Sequence, residues 1–145
     1  MVCGDYGIGG LAGTHEGSIA NSYSIGIVKV RETGGGLVGY WTSSNAVILD
    51  SYNATITGGY GLVRSGDYRG IASNSFWDID VSGVNTSDGG TGLTTLEMKD
   101  QQTFLDAGWD FVGESDNGVQ DIWVMHEDAY PTLTWQGNAN LSSEK

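Results

Sequence analysis

Apolar and polar residues alternate along two segments in the first half of the chain. A spacing of two places the apolar side chains on one face of a β-strand, whereas a helix needs a spacing of three to four. The pattern therefore predicts strands whose apolar face is buried against neighbouring strands. The apolar members are Ile19, Tyr23, Ile25 and Ile27 in the first segment and Ile48, Tyr52, Ala54 and Ile56 in the second.

These strands belong to a repeat. A glycine-rich motif occurs at residues 9–13 (GGLAG), at 35–39 (GGLVG) and, in a weaker form, at 60–63 (YGLV), with leucines 26 and 25 residues apart. A period of this size indicates stacked supersecondary units, each of which buries its apolar face only against its neighbours. We predict a mainly β fold: a short right-handed parallel β-solenoid of about three coils over residues 1–78. The coils are expected at about 5–30, 31–57 and 58–78, with glycines at corners that need positive φ.

A polar column accompanies the repeat. Asn21, Asp50 and Asn74 each lie two residues before an aromatic residue and directly before a serine. If the coils are in register, these side chains stack about 4.8 Å apart and can form a hydrogen-bonded ladder along the axis. The alternative is a polar binding stripe, but regular repetition favours the structural role.

The second half has a different pattern and predicts a mixed α/β capping region at 79–145. A short helix is expected at about 95–106, with Leu96 and Phe104 on its buried face and Gly108 at its end. Two strands follow at 120–125 and 133–135. The polar tail is expected to fray from about residue 137. The region would cover the open strand edges at the end of the solenoid.

Composition and charge narrow the classes of partner. The chain has 24 glycines, one proline and a net charge of −12. So much glycine argues against a helical bundle, and scattered Lys and Arg argue against nucleic acid and anionic membranes. Residues 1–77 carry a net charge of −1 and residues 78–145 one of −11. Cys3 is the single cysteine. The sequence has no apolar run of about 18 residues, the length that would predict a membrane-spanning helix. No export signal is visible, so we expect a fragment of a longer protein.

The motifs together resemble a known family. The GGLVG core followed by Asn-Ser-Tyr is similar to the GLUG repeat of bacterial and archaeal surface proteins, such as filamentous-haemagglutinin-like adhesins. The segments at 74–78 (NSFWD), 89–99 (GGTGLTTLEMK), 108–111 (GWDF) and 129–135 (AYPTLTW) resemble the part that closes such arrays. The resemblance implies a non-catalytic module of a secreted or cell-surface protein. Its partners would be neighbouring repeats of a longer parent chain and a surface glycan or host protein.

Two binding sites are candidates from the residues themselves. Tyr40 and Trp41 lie in a predicted turn, where exposed aromatic rings can bind a glycan; the other tryptophans, among them Trp135, are assigned mostly to the core. Calcium, the one cofactor considered, is suggested by a partial EF-type loop that lacks the glutamate at position twelve. The alternative is an acidic turn that joins the last coil to the capping region. The calcium ligands would be Asp78, Asp80, Ser82, Asn85 and Asp88.

Catalysis is not expected. Asp78 and Asp80 are the best carboxylate pair for a β-helix carbohydrate-active enzyme, but no basic residue accompanies them. A carbohydrate-binding accessory module of a larger surface peptidase or glycosidase remains the main alternative to the adhesin-like role. Glycosylation sequons begin at Asn53, Asn85 and Asn140.

Overall fold

A computed structural model describes residues 1–136. The chain divides into two compact units, Met1–Thr95 and Leu96–Lys145. The first contains ten strands and one helical turn, and residues 96–136 of the second contain two further strands and most of two short helices. The elements are β1 (Val2–Ile8), β2 (Ala12–His15), β3 (Ser18–Ala20), β4 (Tyr23–Gly34), β5 (Val38–Trp41), β6 (Val47–Leu49), β7 (Tyr52–Thr57), β8 (Ile71–Ser73), β9 (Phe76–Asp78), α1 (Ile79–Ser82), β10 (Thr91–Leu93), α2 (Thr95–Met98), α3 (Gln101–Asp106), β11 (Trp123–Val124) and β12 (Thr132–Leu133).

The first unit is built from three parallel sheets. Their strand orders are β1-β4-β7-β9-β10, β3-β6-β8 and β2-β5. Tyr23 pairs with Tyr52, which pairs with Phe76, so partners lie 29 and 24 residues apart. Val38 pairs with Ala12 and also bridges to Val63, which aligns the weak third motif. The mainly β prediction is confirmed, and the sequence repeat is also a repeat of strand partners.

The leucine and valine of each glycine-rich motif supply the core of the first unit. Leu37 and Leu62 are stacked equivalents and are completely buried. Their neighbours include side chains from the turn at 42–46 and from β6 and β9. The buried cluster consists of Leu37, Val38, Trp41, Ala46, Ile48, Leu62, Val63 and Trp77.

The predicted apolar face of β4 and β7 is buried at Tyr52 and Ala54, and the prediction is wrong for the isoleucines of the two strands. Ile25, Ile27 and Ile56 are 52%, 39% and 56% exposed, whereas Asn53 and Thr55 between them are buried. The left-handed residues at the corners, such as Asp50 before β7, change which alternate positions face inward. Asn53 and Thr55 satisfy each other inside, because Thr55 Oγ1 donates to Asn53 Oδ1 at 2.9 Å.

The glycines of the repeat motifs allow close packing. Positive φ angles were predicted for glycines at the corners, but these motif glycines do not have them. Gly10 and Gly36 are absent from the residues with positive φ. A Cβ at Gly36 would come within 3.0 Å of the Asn53 side chain and of the Gly61 carbonyl oxygen. Gly10 faces Ser24 in the same way, and Gly61 faces the Trp77 ring. This column of glycines lets the motif backbone lie directly on the inner face of the five-stranded sheet.

The second unit has an aromatic core and two short helices where one was predicted. Asp100 is extended and caps α3, its side chain accepting a hydrogen bond from the Gln102 amide. This cap ends the continuous helix expected at 95–106. Leu96, which was placed on the buried face, is 83% exposed, whereas Phe104 is buried. Gly108 has φ +91° and follows the helix as predicted. The core rings are Phe104, Trp109, Phe111 and Trp123.

The boundary between the units lies later than the predicted one at 78/79. Strand β10 pairs in parallel with β9, Thr91 opposite Phe76, and so joins the five-stranded sheet. Residues 79–95 therefore belong to the first unit. The antiparallel pair β11 and β12 is observed where two strands were predicted: β11 lies within 120–125, and β12 shares only Leu133 with the predicted strand at 133–135. The predicted frayed tail lies outside the described residues.

We predict that Gly36→Ala destabilises the protein by about 1–3 kcal/mol, because its methyl group must displace Asn53 or the neighbouring backbone. Gly17→Ala is the matched control, since a Cβ at Gly17 meets no atom within 4 Å. Urea unfolding of both variants measures the difference. Equal stability of the two would contradict the packing role of the glycine column.

Candidate functional site

Tyr40 lies in a cluster of aromatic and charged side chains on the first unit. The Arg64 guanidinium carbon is 5.1 Å from the centre of the Tyr40 ring and 5.5 Å from that of Tyr60. Arg64 also donates a hydrogen bond from Nη1 to Tyr40 Oη. Both rings therefore make cation–π contacts with one arginine. No carboxylate within residues 1–136 forms a salt bridge with Arg64.

Tyr6 extends this cluster towards solvent. Its side chain is 66% exposed. A hydrogen bond to Glu32 raises the pKa of Tyr6, and desolvation and the nearby Tyr40 add to the effect. We call Tyr6, Glu32, Tyr40, Tyr60 and Arg64 the tyrosine–arginine cluster. Its exposed ring, Tyr6, bonds to the Glu32 carboxylate and lies near Tyr40, which contacts the Arg64 guanidinium. Such a combination suits a polar ligand with one apolar face.

Trp41 is not part of this cluster, and its predicted exposure is wrong. It is 2% exposed and packs in the core of the first unit. The cause is strand alternation: Tyr40 and Trp41 are consecutive in β5, so their side chains point to opposite faces. Trp135, which was assigned to the core, is 63% exposed. Sequence reasoning found Tyr40 but missed Tyr6, Tyr60 and Arg64, which no local motif connects.

The column of Asn21, Asp50 and Asn74 marks corners of the backbone. Their φ angles are 47°, 46° and 46°, the left-handed region that asparagine and aspartate tolerate better than most residues. Each precedes a strand of the five-stranded sheet. Asp50 also forms a side-chain hydrogen bond with Asn74. Backbone geometry therefore explains the residue types of the column, and the predicted hydrogen-bonded ladder is seen between Asp50 and Asn74.

A serine ladder, missed in the sequence, runs beside these corners. The Ser22 amide donates to Ser51 Oγ at 3.1 Å, and the Ser51 amide donates to Ser75 Oγ at 3.2 Å. Each hydroxyl in turn donates to the carbonyl oxygen two residues before it, with Ser51 Oγ 2.6 Å from the Leu49 oxygen. The signal was present in the sequence, because the same residue follows the corner in every repeat.

The first proposed calcium ligands have structural roles. Asp78 is buried and caps α1, accepting hydrogen bonds from the amides of Asp80 and Val81 at 2.9 Å. Thr95 Oγ1 donates to both oxygens of Asp78, and the Thr95 amide donates to Asp80 Oδ2. Ser82 is buried within the same helical turn. The EF-type loop is thus incorrect, because residues 79–82 are helical.

The remaining proposed ligands lie in a segment that closes a strand edge. Asp88 Oδ2 accepts a hydrogen bond from the Ser65 amide, and its Oδ1 is 3.9 Å from Arg69. Asn85 is exposed. Across residues 1–136, no three His, Cys, Asp or Glu side chains are grouped so that they could hold a metal ion. The five proposed ligands are therefore not assembled into a calcium site.

The sequons differ in accessibility. Asn53 is completely buried, and its side-chain amide donates to the Gly61 carbonyl oxygen at 2.8 Å. Asn85 is exposed. Asn140 lies outside the described residues. Of the two described sequons, Asn85 alone presents its amide to solvent.

Comparisons with known proteins give one relative. No family model matches the chain, and no solved structure matches it. A protein of Evansella cellulosilytica named "Putative Gly-rich membrane protein" is 36% identical over 133 residues, which cover 83% of this chain. The chain spans 15% of the length of that relative. None of the helices within residues 1–136 has the length and apolar character needed to cross a bilayer.

We predict that Asp50→Asn stabilises the protein at neutral pH. Burial raises the pKa of Asp50 above its ordinary value, so the charged form is disfavoured in the folded state. For a raised acid pKa, the stabilising contribution is present below the unfolded pKa and is lost as pH rises through the folded one. The melting temperature of Asp50→Asn should therefore exceed that of the parent chain at pH 7, and the difference should shrink as pH falls towards about 4.

Asp67→Asn is the matched control for this experiment, because Asp67 is exposed and loses the same charge. An equal gain in both variants would mean that net charge, not the environment of Asp50, is responsible.

Proposed function

We propose that this chain is a non-catalytic structural segment of a secreted or cell-surface adhesin-like protein, in which it acts as a rigid repeat module closed at one end. The observation that carries the proposal is the parallel pairing of equivalent residues from successive repeats in all three sheets. One such pair in each sheet is Ala12 with Val38, Ile19 with Ile48 and Tyr23 with Tyr52. This arrangement suits a protein whose task is to maintain a fixed length.

The same pairing supports a short right-handed parallel β-solenoid of about three coils. The second repeat supplies β5, β6 and β7 in that order, one strand to each sheet. The first repeat supplies β2, β3 and β4 to the same sheets. A chain that visits three sheets in a constant order and returns one strand further along describes one coil per repeat.

Rigidity is supported by bonds that run between repeats. Backbone strand pairs, the serine ladder and the stack of Tyr23 on Tyr52, with ring centres 5.1 Å apart, all join one repeat to the next. Bending the array would break several of these contacts together. A surface location is supported by the resemblance to GLUG-repeat proteins and by the relative that is named a membrane protein.

A carbohydrate-binding accessory module is the second candidate, and the tyrosine–arginine cluster favours it. Tyr6 offers an exposed ring bonded to the Glu32 carboxylate, an acceptor, and the neighbouring Tyr40 contacts the Arg64 guanidinium, a donor. A carbohydrate-active enzyme is least supported, because Asp78 and Asp80 are bonded to the backbone of α1 and to Thr95.

Pulsed electron paramagnetic resonance tests the rigid module. Spin labels on Cys3 and on Asn85→Cys, both exposed, lie in the first strand and in the segment after α1. A rigid array should give one narrow distance distribution, because the intervening strands are joined by bonds between repeats. The chain labelled on Cys3 alone reports any coupling between molecules. A broad distribution for the double-labelled native protein would contradict the spacer function.

Protease treatment of intact cells of an organism that encodes the chain tests the surface location. Peptides from exposed loops, such as the one around Asp67, should be released before a cytoplasmic marker protein is cleaved. Release only after the cells are lysed would contradict a cell-surface location.

Glycan-array binding tests the second candidate. If the tyrosine–arginine cluster binds a sugar, Tyr6→Ala should weaken that binding by about ten-fold or more, since loss of a stacked ring costs on the order of 1–2 kcal/mol. Trp135→Ala removes an exposed ring of the second unit and should leave binding unchanged. Loss of binding in Trp135→Ala but not in Tyr6→Ala would assign the site elsewhere, and no saturable binding by the parent chain would exclude a glycan site.

A further inference from the structure

The first strand of each sheet in the first unit has one unpaired edge. Strands β1, β2 and β3 are outermost in the strand orders of the three sheets. The apolar side chains of this layer are less buried than their equivalents: Leu11 is 49% exposed, whereas Leu37 and Leu62 are completely buried. We call the surface formed by β2, β3 and the part of β4 ahead of Val28, which β1 does not pair with, the leading face.

The opposite edge of the stacked glycine-rich motifs is closed by the side chains of Ser87 and Asp88. Leu62 O accepts hydrogen bonds from the amides of Leu37 and Val38, both at 3.0 Å. One repeat later the corresponding acceptor is a side chain: Ser87 Oγ accepts hydrogen bonds from the amides of Leu62 and Val63, both at 3.1 Å. The Ser87 hydroxyl replaces a backbone carbonyl and ends the ladder.

Asp88 closes the next position of the same edge. Its Oδ2 accepts a hydrogen bond from the Ser65 amide at 2.6 Å, and its own amide donates to the Val63 carbonyl oxygen at 2.9 Å. Backbone groups of the third motif are thus satisfied without a further strand. At the glycine-rich motifs the two edges of the first unit differ, because the edge after the third motif is sealed by side chains and the edge ahead of the first motif is an unpaired strand edge.

We propose that the leading face is the docking surface for a further repeat of the same sequence type, so that the array extends at this end. The inference rests on the repeat-module function and adds a partner and a direction to it. The partner is a Gly-Gly-Leu motif followed by an Asn-Ser-Tyr corner, added in the same parallel register.

The contacts between existing repeats define what this partner must supply. Its leucine would pack on Leu11 in the way that Leu11 packs ahead of Leu37. Its motif amides would donate to the Leu11 carbonyl oxygen, because the Leu11 amide donates to the Leu37 oxygen at 2.9 Å in the same geometry. The amide of its corner serine would donate to Ser22 Oγ, as the Ser22 amide donates to Ser51 Oγ. Residues 1–77 have a net charge of −1, so charge does not oppose stacking.

A second copy of this chain fits the leading face less well. To dock in parallel, a second copy would have to present its opposite end, at the third glycine-rich motif. In this chain Ser87 and Asp88 already bond to the backbone amides there. Two leading faces related by a two-fold axis would bring their strands together antiparallel, which loses the register of the leucines and serines.

The test adds one repeat to the chain. A copy of residues 35–56 is joined directly ahead of Val2, because Val2 pairs with Val28 and Val28 pairs with Thr57, so that the copy enters in register. Amide exchange in β2 and β3 should slow by about ten-fold or more, since it then requires the new interface to open. The unfolding m-value should rise as the added repeat folds cooperatively with the rest.

The matched control carries Leu37→Asp within the added copy only, which puts a charge against Leu11. It should return exchange in β2 and β3 to the rate of the parent chain. Unchanged exchange with the unmodified copy would overturn the proposal. So would a parent chain that dimerises in sedimentation experiments and becomes monomeric in Leu11→Asp, since the leading face would then bind a second copy. A narrow spin-label distribution together with failed docking would leave the rigid module standing and refute the direction of growth alone.

Discussion

The first unit depends on hydrogen bonds whose two partners lie in different repeats. Parallel strands cannot pair within one repeat, because no repeat gives more than one strand to the same sheet. The backbone groups of Leu37 are therefore satisfied by Leu11 on one side and by Leu62 on the other. In a single repeat these groups would bond to water, and burying any one of them without a partner costs about 1–3 kcal/mol. The stability of the first unit consequently depends on contacts between neighbouring repeats.

Close approach of the glycine-rich motifs follows from the same constraint. The motif backbone must lie against the five-stranded sheet so that its leucine can enter the core, and a side chain at Gly36 would prevent this. Asn53 lies opposite this glycine and bonds to the Gly61 carbonyl oxygen, which joins the sheet to the next motif. The interior is thus partly polar, with every amide and hydroxyl of this small network directed to a partner. Isoleucines of the same strands are left on the outside.

Much of this architecture is predictable from the sequence, and the errors have physical causes. Period-two alternation and the 25–26-residue spacing give the strands and the repeat, because both are direct consequences of stacking. The inward face is not predictable from alternation alone, since a left-handed corner at Asp50 changes the phase between β6 and β7. Trp41 was misplaced because a turn was expected where β5 continues. The tyrosine–arginine cluster joins residues from separate repeats, and only the fold brings them together.

The unequal spacing of strand partners has a consequence for how such proteins vary. Tyr23 and Tyr52 are 29 residues apart and Tyr52 and Phe76 are 24 apart, yet both pairs are in register. The connections between strands absorb a difference of five residues without disturbing the ladder. Loops of differing length, such as those around Asn45 and Asp67, can therefore be exchanged while the strands keep their positions. The length and sequence of the surface loops can therefore change in evolution independently of the number of repeats.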